Sequence, residues 1–91
     1  GKFLKEIYIS EDSAVYPNPT SEVVNISIGG ESLQAEVLFF NLQGDLLYQR
    51  DFVLNLFNRS FQIPVDYYPP GVYLIRVITV DRIENFKLLK R

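Results

Sequence analysis

The stretch Pro69–Val80, Pro-Pro-Gly-Val-Tyr-Leu-Ile-Arg-Val-Ile-Thr-Val, restricts the fold more than any other part of the chain. Two prolines fix their φ angles and remove backbone donors, and Gly71 supplies the freedom that ends a turn. From Val72 onward nearly every residue is β-branched or aromatic, the composition that suits a pleated surface packed on a core. Alternation puts Tyr73, Ile75, Val77 and Thr79 on one face and Val72, Leu74, Arg76, Ile78 and Val80 on the other. The Tyr73 face is expected to be the core side, because an unpaired Arg76 is costly to bury. A strand this apolar on both faces belongs in the middle of a sheet, with a neighbour on each side.

Shorter segments repeat the strand signal along the rest of the chain. Lys2–Ile9 reads as a strand whose faces are ambiguous, since Phe3, Ile7 and Ile9 compete with Leu4 and Tyr8. Ser10–Ser13 is a polar, acidic loop. In Val15-Tyr16-Pro17-Asn18-Pro19-Thr20, two prolines one residue apart bias Tyr16 and Asn18 toward extended geometry. Lacking two donors, this piece pairs only at a sheet edge or crosses between sheets. A rigid crossover is expected, with the Tyr16 ring tucked against the core. Glu22–Ile28 alternates, with Val24, Ile26 and Ile28 inward, and Gly29-Gly30 closes a turn. Leu33–Asn41 follows with Leu33, Ala35, Val37 and Phe39 as the inner face. Asn41-Leu42-Gln43-Gly44 is a hairpin connection with Gly44 in the left-handed position. The register of Asp45–Val53 is open, because Leu46, Tyr48 and Phe52 oppose Leu47 and Val53. Arg59–Val65 sets Phe61, Ile63 and Val65 against Ser60, Gln62 and Pro64. Asp81-Arg82 then turns the chain into Glu84–Arg91, where Phe86 and Leu88 point one way and Lys87, Leu89 and Arg91 the other. About seven strands with turns between them and no helical period predict an all-β fold, an immunoglobulin-like antiparallel β-sandwich. A small up-and-down barrel is the alternative.

Composition bounds the function. With 91 residues there is room for one domain and one modest core. Hydrophobic residues make up 47% and aromatics 14%, more than a disordered chain carries. The net charge of −2, with both signs interspersed, provides no footprint for nucleic acid. No apolar run approaches the ~20 residues of a transmembrane segment. Without cysteine there is no disulfide or thiolate chemistry, and without histidine the commonest general base and metal ligand are missing. The chain begins with Gly, holds no Met and carries no signal peptide, so it is expected to be a module of a longer protein.

No enzyme motif is present. Gly29-Gly30 lacks the spacing of a phosphate loop, and no serine has a histidine partner. The adjacent carboxylates Glu11-Asp12 read as a solvated loop in preference to a calcium shell, so neither metal nor cofactor is expected. Asn25-Ile26-Ser27 and Asn58-Arg59-Ser60 fit the glycosylation sequon and carry little weight. Tyr67-Tyr68 beside Pro69-Pro70 is either packing over a sandwich end or an exposed platform for a sugar ring. The tail, Lys87-Leu88-Leu89-Lys90-Arg91, has two equal readings. One is edge protection by lysine; the other is a docking strand that a partner extends through main-chain hydrogen bonds.

Taken together, these pieces resemble the type A C-terminal sorting domain of the bacterial type IX secretion system. Val15-Tyr16-Pro17-Asn18-Pro19-Thr20 looks like that family's opening motif, followed by an alternating Val/Ile strand. Val37 to Gly44, with Leu46-Leu47 after it, looks like its mid-domain strand, turn glycine and return strand. Pro70-Gly71-Val72-Tyr73-Leu74-Ile75-Arg76-Val77 resembles its Gly-hydrophobic-Tyr strand, and Phe86-Lys87-Leu88-Leu89-Lys90 its terminal Lys-bearing strand. The final turn departs: Val80-Asp81-Arg82-Ile83 stands where the family often has Asn-Gly. On this resemblance residues 1–14 are a linker and first-strand region, and 15–91 the sorting domain. The resemblance implies a non-catalytic address label at the C-terminus of a secreted cargo of a Gram-negative bacterium. The cargo would fold in the periplasm, meet the type IX translocon and outer-membrane shuttle components, and reach the cell surface. There a sortase-like peptidase commonly removes the domain, with a cut expected at Ser10–Ala14 or ahead of Gly1. Asp12-Ser13-Ala14 also resembles the O-glycosylation site of such bacteria. Lys87, Leu88, Leu89, Lys90 and Arg91 are expected to carry recognition, while Tyr16, Pro17, Asn18, Pro19, Gly44, Gly71 and Tyr73 chiefly set the shape. The terminal edge makes a domain-swapped or weak homodimer an expected partner state. A glycan-binding or adhesion module of a cell-surface protein is the alternative function, and a structural spacer a third.

Overall fold

The structure, a computed structural model, describes residues 12–91. The strand expected at Lys2–Ile9 lies outside the described residues, as does Glu11. Seven strands follow in order: β1 (Ala14–Tyr16), β2 (Val23–Ser27), β3 (Gln34–Asn41), β4 (Leu46–Val53), β5 (Ser60–Pro64), β6 (Gly71–Thr79) and β7 (Ile83–Lys90). They form two antiparallel sheets, β1-β2-β5 and β4-β3-β6-β7, packed as a sandwich with no closed barrel. β6 is central, between β3 and β7, as its two apolar faces require.

Period-two alternation builds the core. Val24 and Ile26 of β2, Ala35, Val37 and Phe39 of β3, Ile63 of β5, and Tyr73, Ile75 and Val77 of β6 all point inward and are buried. Arg76 stays on the outer face, its guanidinium over the Phe40 ring at 5.3 Å. The Tyr73 hydroxyl donates to the Pro69 carbonyl at 2.5 Å, the upstream bond of a tyrosine corner. That bond ties the Pro69-Pro70 turn to the start of β6, where Gly71 sits at φ +155°, a conformation that side-chain-bearing residues rarely adopt.

Two expectations are corrected and one open register is settled. Residues 14–16 form an edge strand, with Val15 opposite Ile26 and Tyr16 opposite Asn25. Because Val15 takes the inward position, the Tyr16 ring faces outward and is 49% exposed, not tucked into the core. Leu33 is exposed because the Ser32 hydroxyl donates to the Gln34 carbonyl at 2.6 Å and turns the chain there, so the inner face of β3 begins at Ala35. The open register of β4 is settled by a bulge: Phe39 opposes Tyr48 while Phe40 opposes Leu46. The extra residue, Leu47, lets Tyr48 and Phe52 face the core and leaves Leu46 exposed. Phe52 then stacks on Phe61 at 3.7 Å and closes the seam between β4 and β5.

Candidate functional site: the clasped terminal strand

β7 has one ladder neighbour, β6, with Gly71 opposite Lys90, Tyr73 opposite Leu88 and Leu74 opposite Lys87. Alternate residues of β7 therefore turn their N–H and C=O groups away from β6. At the C-terminal end these outer groups are covered by the crossover between β1 and β2. The Asn18 Nδ2 donates to the Lys87 carbonyl at 2.7 Å, and the Leu89 N–H donates to Asn18 Oδ1 at 2.9 Å. Next along, the Thr20 N–H donates to the Leu89 carbonyl at 2.9 Å and the Arg91 N–H to the Thr20 carbonyl at 2.8 Å. The local sequence explains this arrangement. Pro17 and Pro19 have no N–H, so no main-chain ladder runs through them, and the Asn18 carboxamide stands in for a peptide group. Thr20 is buried, its hydroxyl donating to the Val23 carbonyl.

The docking-strand reading of the tail therefore meets an occupied edge from the Lys87 carbonyl to the Arg91 N–H. Side chains divide by alternation. Leu88 is buried in the core beside Tyr73, and Lys90 is 6% exposed, its Nζ donating to the Arg91 carbonyl at 2.6 Å. Lys87, Leu89 and Arg91 face solvent. Of the residues expected to set the shape, Asn18, Gly71 and Tyr73 lie against the terminal strand. Gly44, at φ +88°, stands apart in the β3–β4 turn. Thr20 is the member of the clasp that sequence reasoning did not single out. Its position behind Pro-Asn-Pro was the available signal.

At the other end of β7, Ser13 is 8% exposed. Its hydroxyl donates to Glu84 Oε1 at 2.6 Å and accepts from the Gly29 N–H at 2.9 Å. Arg82 Nε lies 3.6 Å from the same carboxylate oxygen. The hydroxyl of the Asp12-Ser13-Ala14 triplet is thus bonded within the fold, not presented to a glycosyl donor. Asn25, of the first sequon, donates from Nδ2 to the Tyr16 carbonyl inside the β1–β2 pair.

The two adjacent tyrosines take different roles. Tyr68 stacks on Phe39 at 5.1 Å and 19°, capping the core, whereas Tyr67 is 70% exposed and tilted 46° from it. One ring, not a flat pair, faces solvent. Burial, followed by the bond with the Tyr67 hydroxyl, pushes the Tyr68 phenol up from 10.0 to about 12. Between those values the unfolded chain has released its proton while the folded one keeps it, so stability falls as pH rises through that window. Denaturant midpoints at pH 9 and pH 11.5 are expected to differ less in Tyr68→Phe than in the parent; equal differences would remove Tyr68 as a cause.

A shallow depression of about 430 Å³ lies beside Ala35, Phe52 and Ile78, and its carboxylates Glu36 and Asp51 share the Gln49 amide at 2.8 and 3.3 Å. Among the described residues no three His, Cys, Asp or Glu side chains are gathered as for a metal, and no helix is long and apolar enough to cross a membrane. A search of curated proteins finds no match to the chain. The family model for the secretion system C-terminal sorting domain matches residues 14–91, from the first residue of β1 through the clasp to Arg91. By that match, and by the sandwich whose terminal strand the opening motif holds in place, the chain belongs to the type IX secretion C-terminal sorting domain family, whose members are in general non-catalytic export signals.

Proposed function

We propose that this domain directs the protein that carries it to the type IX outer-membrane translocon, and that the outward side chains Lys87, Leu89 and Arg91 are read there. The family match over residues 14–91 carries this reading. The division of the tail supports it: Leu88 and Lys90 hold the strand against the core, leaving two cations and one apolar group outside. Shuttle components at the outer membrane receive the domain after passage through the periplasm. A sortase-like peptidase then separates it from its cargo at the surface. A cut ahead of Ser13 suits that step, since it leaves every described strand intact.

The test is a reporter with an N-terminal signal peptide fused ahead of the 91-residue chain, expressed in a bacterium with type IX secretion. The reporter is expected on the cell surface with the chain and in the periplasm without it. Lys87→Glu combined with Arg91→Glu is expected to reduce display while leaving the melting temperature near the parent's, because both side chains are exposed. Periplasmic retention of the reporter even with the intact chain would overturn the sorting role, and full display of the double variant would remove the tail from recognition.

A further inference from the structure

The two outer faces of the sandwich differ in kind. On the three-stranded sheet, outward Asn25 opposes Gln62 and Ser27 opposes Ser60, so the middle of that face is polar, with Tyr16 on the edge strand and Val23 opposite Pro64 as its apolar members. On the four-stranded sheet an apolar band crosses every strand. Leu46 opposes Phe40, Phe40 opposes Leu74, and Val72 opposes Leu89 one step along the β6–β7 pair. Leu46 and Leu89 are exposed, the other three are half-buried, and no described strand lies over them.

Charge beside this band is positive on β6 and β7, while the carboxylates of the same outer face, Glu36 on β3 and Asp51 on β4, share the Gln49 amide further along. The outward positions of β6 and β7 include Arg76 and Lys87 and no carboxylate, in a chain whose net charge is −2. The one acid of β7, Glu84, points inward to Ser13. Arg76 is held in place over Phe40, and its Nε donates to Asn85 Oδ1 at 2.9 Å. That leaves its terminal nitrogens without a partner among the described residues. A preorganised guanidinium above an apolar floor is suited to a carboxylate arriving on a flat apolar surface.

We propose that this band is a docking surface for a protein of the export machinery that presents an apolar face with carboxylates opposite Arg76 and Lys87. The inference rests on the sorting reading and extends it: the tail's outward Lys87 and Leu89 are one border of a surface that continues over β6 and β3 to Leu46.

The test uses the same reporter fusion with substitutions outside the tail: Leu74→Thr with Phe40→Thr, and separately Arg76→Glu, against Ser60→Thr with Gln62→Glu at exposed positions of the opposite face. Each band variant is expected to reduce surface display about tenfold, the loss of ~1.4 kcal/mol of binding. The opposite-face variant is expected to display like the parent. Melting curves on the purified chains confirm that each variant is folded, and Arg76→Lys is expected to recover part of the Arg76→Glu loss. Full display of both band variants overturns the docking surface. If the tail variants described above still fail to export, the sorting reading stands without it. If the parent chain itself gives no export, the sorting reading fails first. A concentration-dependent dimer that the Leu74→Thr, Phe40→Thr variant dissociates, with display unchanged, assigns the band to a second copy and overturns the proposal.

Discussion

Leu88→Ala is expected to be the most damaging single change in the terminal strand, although it alters nothing a partner can touch. The side chain is fully buried and sits opposite Tyr73, in the layer that includes Ile75. Truncating it removes apolar burial and leaves a cavity that close-packed neighbours fill only in part, a loss of about 2–5 kcal/mol. For a domain of this size each kcal/mol lowers the melting temperature by ~4–8 °C, so the midpoint falls by more than about 10 °C. Total stabilities of ~5–15 kcal/mol make that a large share of what holds the sandwich together. Circular-dichroism melts of the purified chain check it, and a midpoint indistinguishable from the parent's would show that Leu88 is not a core residue. The contrast with the exposed Lys87 matters for any export experiment. Deleting Leu88–Arg91 removes a core side chain and two partners of the clasp together, so the resulting retention reports on unfolding as much as on recognition.

Asn18→Ala is expected to release the terminal edge. The substitution removes both bonds of the carboxamide, to the Lys87 carbonyl and from the Leu89 N–H, while the Thr20 bonds remain. At ~0.5–1.5 kcal/mol for each bond, the domain loses about 1–3 kcal/mol. The site is exposed, so water takes over part of the pairing and the loss stays below that of Leu88→Ala. Amide hydrogen exchange provides the specific readout. The Leu89 N–H, which points at Asn18, is expected to exchange faster in the variant. The Leu88 N–H belongs to the pair with Tyr73 and is expected to keep its protection. Unchanged exchange at Leu89 would mean that the carboxamide does not guard the strand. Asn18→Asp separates the two bonds further. It keeps an acceptor for Leu89 but sets a carboxylate oxygen against the Lys87 carbonyl, and it is expected to be no more stable than the alanine variant.

Much of the sandwich was legible before any coordinates. Alternation identified the inner faces of β2, β5, β6 and β7, because a period of two is a local property of the chain and each apolar face had polar or cationic residues opposite it. Failures fell where local signals tied. Asp45–Val53 offered two apolar sets, and the bulge that chose between them depends on pairing with β3. The Tyr16 ring looked like core because it is large and apolar, but its face is dictated by Val15, which must lie opposite Ile26.

The terminal strand shows the same division. Its inward Leu88, its outward Lys87 and Leu89, and the two prolines that forbid a ladder around Asn18 are all properties of neighbouring residues, so the amino-acid order alone determined them. That Asn18 and Thr20 would close the far edge of β7, some seventy residues along the chain, was decided only by tertiary structure. The physical reason is range. Backbone stereochemistry and side-chain period act over a few neighbouring residues, whereas an edge hydrogen bond forms only after two sheets have packed and brought distant segments within 3 Å.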